Sequence, residues 1–323
     1  MIEQALKDFP KQFAWEAHVE GGNFLVKKNV IIGGMGGSQL AADILRMRYP
    51  DLPLLLHRNY GLPAMTIDTQ QQSSFIGSSY SGNTEETLDA FETAHAAGLP
   101  CAVIATGGLL LKRAQETGVP YVALPDTGIQ PRMALGFSLK ALLALLGRAE
   151  GTQEAIGVAS HLDPVAAETE GAQLGEMLRE SIPVIYASSI NYPLARIWKI
   201  KFNETGKIPA FANEFPELNH NEMTGFDWVE STHPLSQRFH FLFLVDPTDN
   251  PKIVRRMEVS RALYEARGFK TTMLPLAGDS VFEKVMRSAY CAEWTSYALA
   301  RFYGAEPELV PLVEEFKKRM VKE

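Results

Sequence analysis

Cysteine is nearly missing from this sequence. Cys101 and Cys291 are the two in 323 residues, too few for a disulfide framework, and each lies in an apolar pattern, so both read as reduced core residues. Paired cysteines at zinc spacing and a His-Glu-x-x-His helix are also missing, so no metal and no other cofactor is expected. No stretch approaches 18 apolar residues, and the opening Met1-Ile2-Glu3-Gln4-Ala5-Leu6-Lys7 has no apolar h-region. The expectation is a cytoplasmic protein with no membrane partner. Lys and Arg form no basic face on a chain of net charge −7, and Lys317-Lys318-Arg319 is too short to supply one. Nucleic acid is therefore excluded as a partner, because binding its backbone needs such a face.

What remains is the profile of a globular protein, with 46% hydrophobic and 21% charged residues, long enough for two α/β domains with separate cores. Short apolar runs at 30–33, 54–57, 74–78, 102–105 and 121–124 read as strands. Helical periodicity follows at 38–48, 84–97, 109–117 and 132–148. Such alternation predicts βαβ units and a parallel sheet covered on both faces. Polar residues 150–152 and Asp163-Pro164 mark a join, and a helix at 164–180 leads into a second half. There the rhythm resumes, with strands at 184–187, 241–245 and 271–275 and helices at 192–202, 253–267 and 280–303. An amphipathic helix at 309–320 closes the chain. The predicted architecture is α/β, with two doubly wound domains over 1–150 and 151–323 that repeat in plan and not in sequence.

Two turns rich in glycine and hydroxyl groups end first-half strands: Gly33-Gly34-Met35-Gly36-Gly37-Ser38 and Ser79-Tyr80-Ser81-Gly82-Asn83-Thr84. Ligands of open parallel sheets bind at that edge. A helix starting near Thr84 offers unpaired N–H groups and the positive end of its dipole, and the hydroxyls of Ser79, Ser81 and Thr84 are further donors. Neither loop contains a lysine, which suits a terminal sugar phosphate better than the β- and γ-phosphates of a nucleotide. Other glycine motifs fail residue by residue. A P-loop lacks its lysine at Gly37-Ser38, a dinucleotide fingerprint meets Gln39 where glycine belongs, and a nucleophile elbow would end on Ser81. The corresponding second-half loop reads Asp246-Pro247-Thr248-Asp249, so a single anion loop per chain is expected. A Ser/Thr helix cap on a glycine turn is the plain alternative for either loop alone.

These loops resemble the SIS, or sugar isomerase, domain family, whose hallmark is a Ser-x-Ser-Gly-x-Thr phosphate loop. Further segments narrow the resemblance to its phosphoglucose/phosphomannose isomerase branch: Gly36-Gly37-Ser38, Arg58-Asn59-Tyr60-Gly61-Leu62-Pro63, Gln130-Pro131-Arg132, Asn203-Glu204, Glu217-Leu218-Asn219-His220-Asn221-Glu222 and Phe316-Lys317. The order is the family's, from about residue 30 to the C-terminus. The resemblance implies two SIS-type domains, and phosphate held by Gly37, Ser38, Ser79, Ser81 and Thr84. It also implies aldose–ketose isomerisation through a cis-enediol(ate). Glu204, just past the 192–202 helix, then matches the catalytic base, and His220 the group that opens the sugar ring. Arg132 would stabilise the enediolate, and Lys317, or Lys318 beside it, would lie near the ring oxygen. The family's histidine comes from the other subunit, which implies a homodimer.

Read without the family, each of these residues has an ordinary role. Glu204 is a solvated glutamate near a helix end, His220 a loop residue between asparagines, Arg132 a helix-start ion pair and Lys317 part of a solvated face. Some family members place a hydroxyl residue before the terminal lysine in order to accept both C2 epimers. Glu308-Leu309-Val310-Pro311 has none, so glucose 6-phosphate carries over more directly than mannose 6-phosphate. A sensor that binds a sugar phosphate without turnover would keep the serine loop alone. An amino-sugar isomerase would need ammonia handling that no segment supplies.

Overall fold

The computed structural model describes residues 2–320 and divides the chain into two compact units. The first comprises Glu3–Asp163 and Gly278–Arg287, the second Pro164–Ala277 and the chain from Ser288 onward.

Within the first unit, α1 (Ile2–Lys7) precedes β1 (Asn29–Gly34), α2 (Gly37–Arg48), β2 (Leu54–His57), α3 (Ile67–Gln71) and β3 (Ser73–Ser78). Then come α4 (Glu85–Ala96), β4 (Cys101–Ala105), α5 (Gly108–Thr117), β5 (Tyr121–Ala123), α6 (Leu135–Leu145) and α7 (Ala149–Val158). Every strand is parallel to its neighbours, in the order β2-β1-β3-β4-β5. The central strands are buried on both faces, so β4 reads as a continuous apolar run, while β3 buries Ser73, Ser74 and Ser78 beside Phe75 and Ile76. Ile31, Phe75 and Val103 meet Phe91 and Ala94 of α4 and Leu110 and Ala114 of α5 in one core.

Two local expectations change here. The helix expected over 132–148 is a 3-10 turn, Pro131–Met133, followed by α6, which ends near Gly147 at a φ of +62°. A left-handed residue at that place stops a helix and suits glycine. The polar stretch after it is helical, because Arg48 of α2 binds Glu154 at 2.7 Å and Glu150 at 3.1 Å and so holds α7.

The second unit contains α8 (Pro164–Met177), β6 (Ile182–Ser188), α9 (Tyr192–Glu204), β7 (Phe211–Phe215) and β8 (Phe239–Val245). It continues with α10 (Pro251–Glu265), β9 (Lys270–Pro275), most of α11 (Val281–Phe302) and α12 (Pro311–Met320). Its sheet is also parallel, in the order β7-β6-β8-β9. β7 escapes the hydrophobic pattern because Phe-Ala-Asn-Glu-Phe is an edge strand with a polar, half-buried middle. The two units therefore share the expected α/β class, each with a parallel sheet flanked by helices.

Aromatic rings fill one face of the second sheet. Phe241 stacks on Tyr264 at a centroid distance of 4.2 Å, with Tyr186, Phe243 and Phe269 around them. Elsewhere in this unit Lys201 of α9 and Glu293 of α11 form an ion pair with side chains only 2% and 4% exposed. Removing one member of such a pair strands a buried charge. Glu293→Ala should therefore lower the unfolding free energy by about 3–5 kcal/mol in urea denaturation, and a loss below about 1 kcal/mol would contradict this account.

Candidate active site

The strand order of the first sheet reverses between β1 and β3, since β2 lies on one side of β1 and β3 to β5 on the other. Chains leaving two such strands diverge to opposite faces and open a crevice at the carboxyl edge of the sheet. The loop after β1 carries Gly36, Gly37 and Ser38, and the loop after β3 carries 79–84, so both expected loops border one crevice. Ser38 joins them. Its Oγ accepts from the Tyr80 amide at 2.9 Å, and its carbonyl accepts from Ser78 Oγ at 3.1 Å.

Inside the second loop, Ser79 and Thr84 pair their hydroxyls at 2.8 Å, and Ser79 Oγ accepts from the Gly82 amide at 3.1 Å. Thr84 consequently makes no side-chain cap to α4. The first-turn N–H groups of α4 are left for water or an anion. Ser81 is exposed, with its Oγ accepting from the Asn83 amide at 3.3 Å, and Ser79 is buried. Glu85 and Glu86 follow, and residues 79–86 contain no cation, so the donors they offer are amides and hydroxyls.

A third turn, which sequence reasoning missed, completes this edge. Thr106, Gly107 and Gly108 leave β4, and Thr106 Oγ1 donates to the Tyr80 carbonyl at 2.7 Å. The Leu109 amide donates to Asn83 Oδ1 at 3.0 Å, and the Leu110 amide to the Gly82 carbonyl at 2.9 Å. Gly82 has φ +68°, and a Cβ there would lie 1.9 Å from the Gly107 carbonyl oxygen. The Gly107-Gly108 pair after a strand was the available signal. On the other side, a Cβ on Gly37 would lie 2.6 Å from the Arg132 backbone nitrogen, so the 3-10 turn bearing buried Arg132 packs directly on the first loop. The Arg58-Asn59-Tyr60-Gly61 segment braces both helices of the crevice. Arg58 spans both carboxylate oxygens of Asp43 on α2 at 2.7 Å, and the Gly61 amide reaches Asp89 on α4 at 2.6 Å.

In the second unit, β6 and β8 form the corresponding reversal. Its crevice is occupied by its own side chains. Asn191 Nδ2 lies 3.3 Å from Asp246 and from Asp249, both buried, and Thr248 donates to Asp246 at 2.6 Å. Two carboxylates there disfavour an anion.

The remaining expected residues are spread through the second unit. Glu204 is the last residue of α9 rather than just beyond it, and is half-buried. Lys207, at φ +56°, donates to the carbonyls of Glu204 and Leu309, which fastens the end of α9 to the chain entering α12. Lys317 on α12 is exposed and pairs with Glu314 at 2.9 Å. His220 ends a 3-10 turn, Glu217–His220, that follows β7, and is exposed. It does not meet Glu204 within this unit. Right-handed crossovers to β7 on one side and β9 on the other put α9 and α10 on opposite faces of the sheet. Leu218 belongs to the face covered by Met257 and Tyr264 of α10. The structure thus gathers Gly37, Ser38, Ser79, Ser81, Thr84 and Arg132 at one edge of the first unit, and separates His220 from Glu204 in the second.

Because Gly82 is constrained both by φ and by the Gly107 carbonyl, Gly82→Ala should displace the loop and weaken sugar-phosphate binding at least about tenfold in calorimetric titration. Unchanged affinity would dissociate this loop from phosphate binding.

Residues 167–320 match the family described as bacterial phospho-glucose isomerase C-terminal SIS domain. The bifunctional phosphoglucose/phosphomannose isomerase of Aquifex aeolicus is 30% identical over 325 residues, covering 99% of this chain and 98% of the relative. That of Thermoplasma acidophilum is 31% identical, covering 99% and 97%. Among solved structures, the C-terminal domain of glucosamine-fructose-6-phosphate aminotransferase from Francisella tularensis superposes with a TM-score of 0.71 at 16% identity. It covers 95% of this chain and 97% of that one, a likeness of fold. With full-length relatives at this identity and glycine- and serine-bearing loops at the switch point of its first sheet, the chain belongs to the bifunctional phosphoglucose/phosphomannose isomerases, a branch of the SIS-domain enzymes.

Proposed function

We propose that this protein interconverts glucose 6-phosphate and fructose 6-phosphate, with mannose 6-phosphate as a second aldose. The observation that carries the reading is the lysine-free crevice of the first unit, where amides and hydroxyls suit a terminal phosphate, in a chain of this family. The phosphate is held by Gly37, Ser38, Ser79, Ser81 and Thr84. His220 passes a proton between the ring oxygen and the C1 hydroxyl and so opens the ring. Glu204 then takes the C2 proton of the aldose to form the cis-enediol(ate), and returns it to C1 to give the ketose. Arg132 offsets the negative charge that develops on the enediolate oxygens, and Lys317 stands near the ring oxygen. Such chemistry fits a cytoplasmic location, where phosphorylated hexoses are kept.

A coupled assay that detects glucose 6-phosphate formed from fructose 6-phosphate tests the reading directly. Saturable binding without turnover would instead fit a sugar-phosphate sensor. Glu204→Gln should lose more than about 100-fold in kcat while still binding substrate, the scale expected for removing a general base. Near-normal turnover in that variant would take Glu204 out of the role.

The working unit in this proposal is a homodimer whose partner subunit supplies the histidine of each site. Two observations support it. Glu204 ends the helix on one face of the second sheet, and the turn that carries His220 is seated through Leu218 on the other face. In addition, Leu312, Phe316 and Met320 recur every four residues along α12 and are each more than half exposed, a stripe that a lone subunit leaves in water. Mixed dimers of Glu204→Gln and His220→Ala subunits discriminate between the arrangements. If the two residues of a site come from different subunits, one site of each mixed dimer is intact, and a statistical mixture regains about a quarter of wild-type activity. No recovery on subunit exchange would mean that each site is built from one chain.

A further inference from the structure

In the second unit, His220 is surrounded in sequence by side chains that are all anchored. Asn219 donates to Ser260 at 3.0 Å and accepts from Arg256 at 3.1 Å, both on α10. Asn221 donates to Glu217 at 2.8 Å and accepts from the Glu222 amide at 2.5 Å, capping the second 3-10 turn, Glu222–Phe226. Glu222 carries the longest reach. One carboxylate oxygen accepts from Tyr186 Oη on β6 and the other from Asn213 Nδ2 on β7, each at 2.5 Å. His220 itself is exposed and has no hydrogen-bond partner among the described residues.

We infer that Glu222 is the positioning residue for His220, fixing the turn that presents the imidazole to the sugar ring. This rests on the assignment of His220 to ring opening. A carboxylate accepts from both partners at once, with one oxygen for each. Asn213 offers N–H, and burial, reinforced by Tyr264 and Glu222, holds the Tyr186 phenol far above its ordinary pKa, so it remains an O–H donor. A glutamine keeps Asn213 through its oxygen but turns NH2 toward Tyr186 Oη. The phenol can accept it only by swinging its own proton to Tyr264 Oη at a long 3.5 Å, so that anchor is weakened. Anchors on two different strands make the carboxylate a two-point clamp, and weakening one of them leaves the turn hinged on the other. Displacement of an acid/base group by about 1 Å is enough to cost on the order of 100-fold in rate without loss of substrate affinity.

The test compares Glu222→Gln, His220→Ala and the double variant in the coupled assay, with Tyr186→Phe as a milder break of the same clamp. Glu222→Gln should lower kcat about 10- to 100-fold with KM within about twofold, and Tyr186→Phe should lower kcat about 3- to 10-fold. Adding Glu222→Gln to His220→Ala should cost less than about twofold more, because a residue acting through the imidazole has nothing to position once it is gone. Effects that multiply in the double variant, or normal kcat in both clamp variants, would overturn the inference. If His220→Ala alone keeps wild-type kcat, the assignment of His220 fails first, and the inference with it. Should Glu222→Gln fail to fold, Tyr186→Phe alone and combined with His220→Ala decides by the same criteria.

Discussion

The hydrogen bond from the Tyr80 amide to Ser38 Oγ joins two loops that no sequence proximity connects. It is possible because β1 and β3 are neighbours while their following helices diverge, a property of strand order and not of either loop. Once the loops are stitched, each remaining feature follows from the space that is left. Thr84 turns to Ser79 instead of capping α4, and the helix end stays open for an anion. Gly82 and Gly37 lack side chains because the Gly107 carbonyl and the Arg132 backbone occupy the positions where a Cβ would stand.

The second unit repeats the plan and redirects it. Its strand reversal is plugged by Asn191, Asp246 and Asp249, which leaves no cradle for a phosphate. What that unit offers lies elsewhere, at the end of α9 and on the segment leaving β7. Using two copies of one architecture in this way separates two demands. A phosphate cradle needs open amides, whereas the base proposed here, Glu204, is a carboxylate.

Much of this was legible in the chain. Buried parallel strands such as β1 and β4 carry short apolar runs, and β3 keeps Phe75 and Ile76 between serines, so their positions could be read within a residue or so. β7 was not, because an edge strand with Asn213 and Glu214 in its middle has no such run. The 3-10 turn at Arg132 was hidden for a different reason: the apolar periodicity of α6 continues back through Met133 and Ala134, and only packing against Gly37 shows where the helix begins. The serine loop was legible as a hydroxyl- and glycine-rich turn at a strand end, where a helix cap and an anion cradle draw on the same groups. Its partner turn at Gly107-Gly108 was not, because nothing in 106–108 indicates which loop it meets until the strand order is known.

The segment Glu217-Leu218-Asn219-His220-Asn221-Glu222 illustrates what a motif can and cannot say. As a string it contains two carboxylates, two amides and an imidazole, any of which is a plausible chemical group. The structure sorts them by attachment. Leu218 is sunk in the aromatic core, Asn219 is bound to α10, Asn221 spans the turn, and Glu222 is clamped between β6 and β7. Groups whose hydrogen-bonding capacity is already spent cannot exchange protons with a substrate without breaking the turn that holds them. Glu217 and Asn221 are exposed too but bond to each other. The imidazole is the exposed side chain of that run with no hydrogen-bond partner among the described residues, at the end of a turn braced on both sides. Its neighbours are then best understood as the reason it stays in one place, which is the condition an acid/base group must meet before its pKa matters at all.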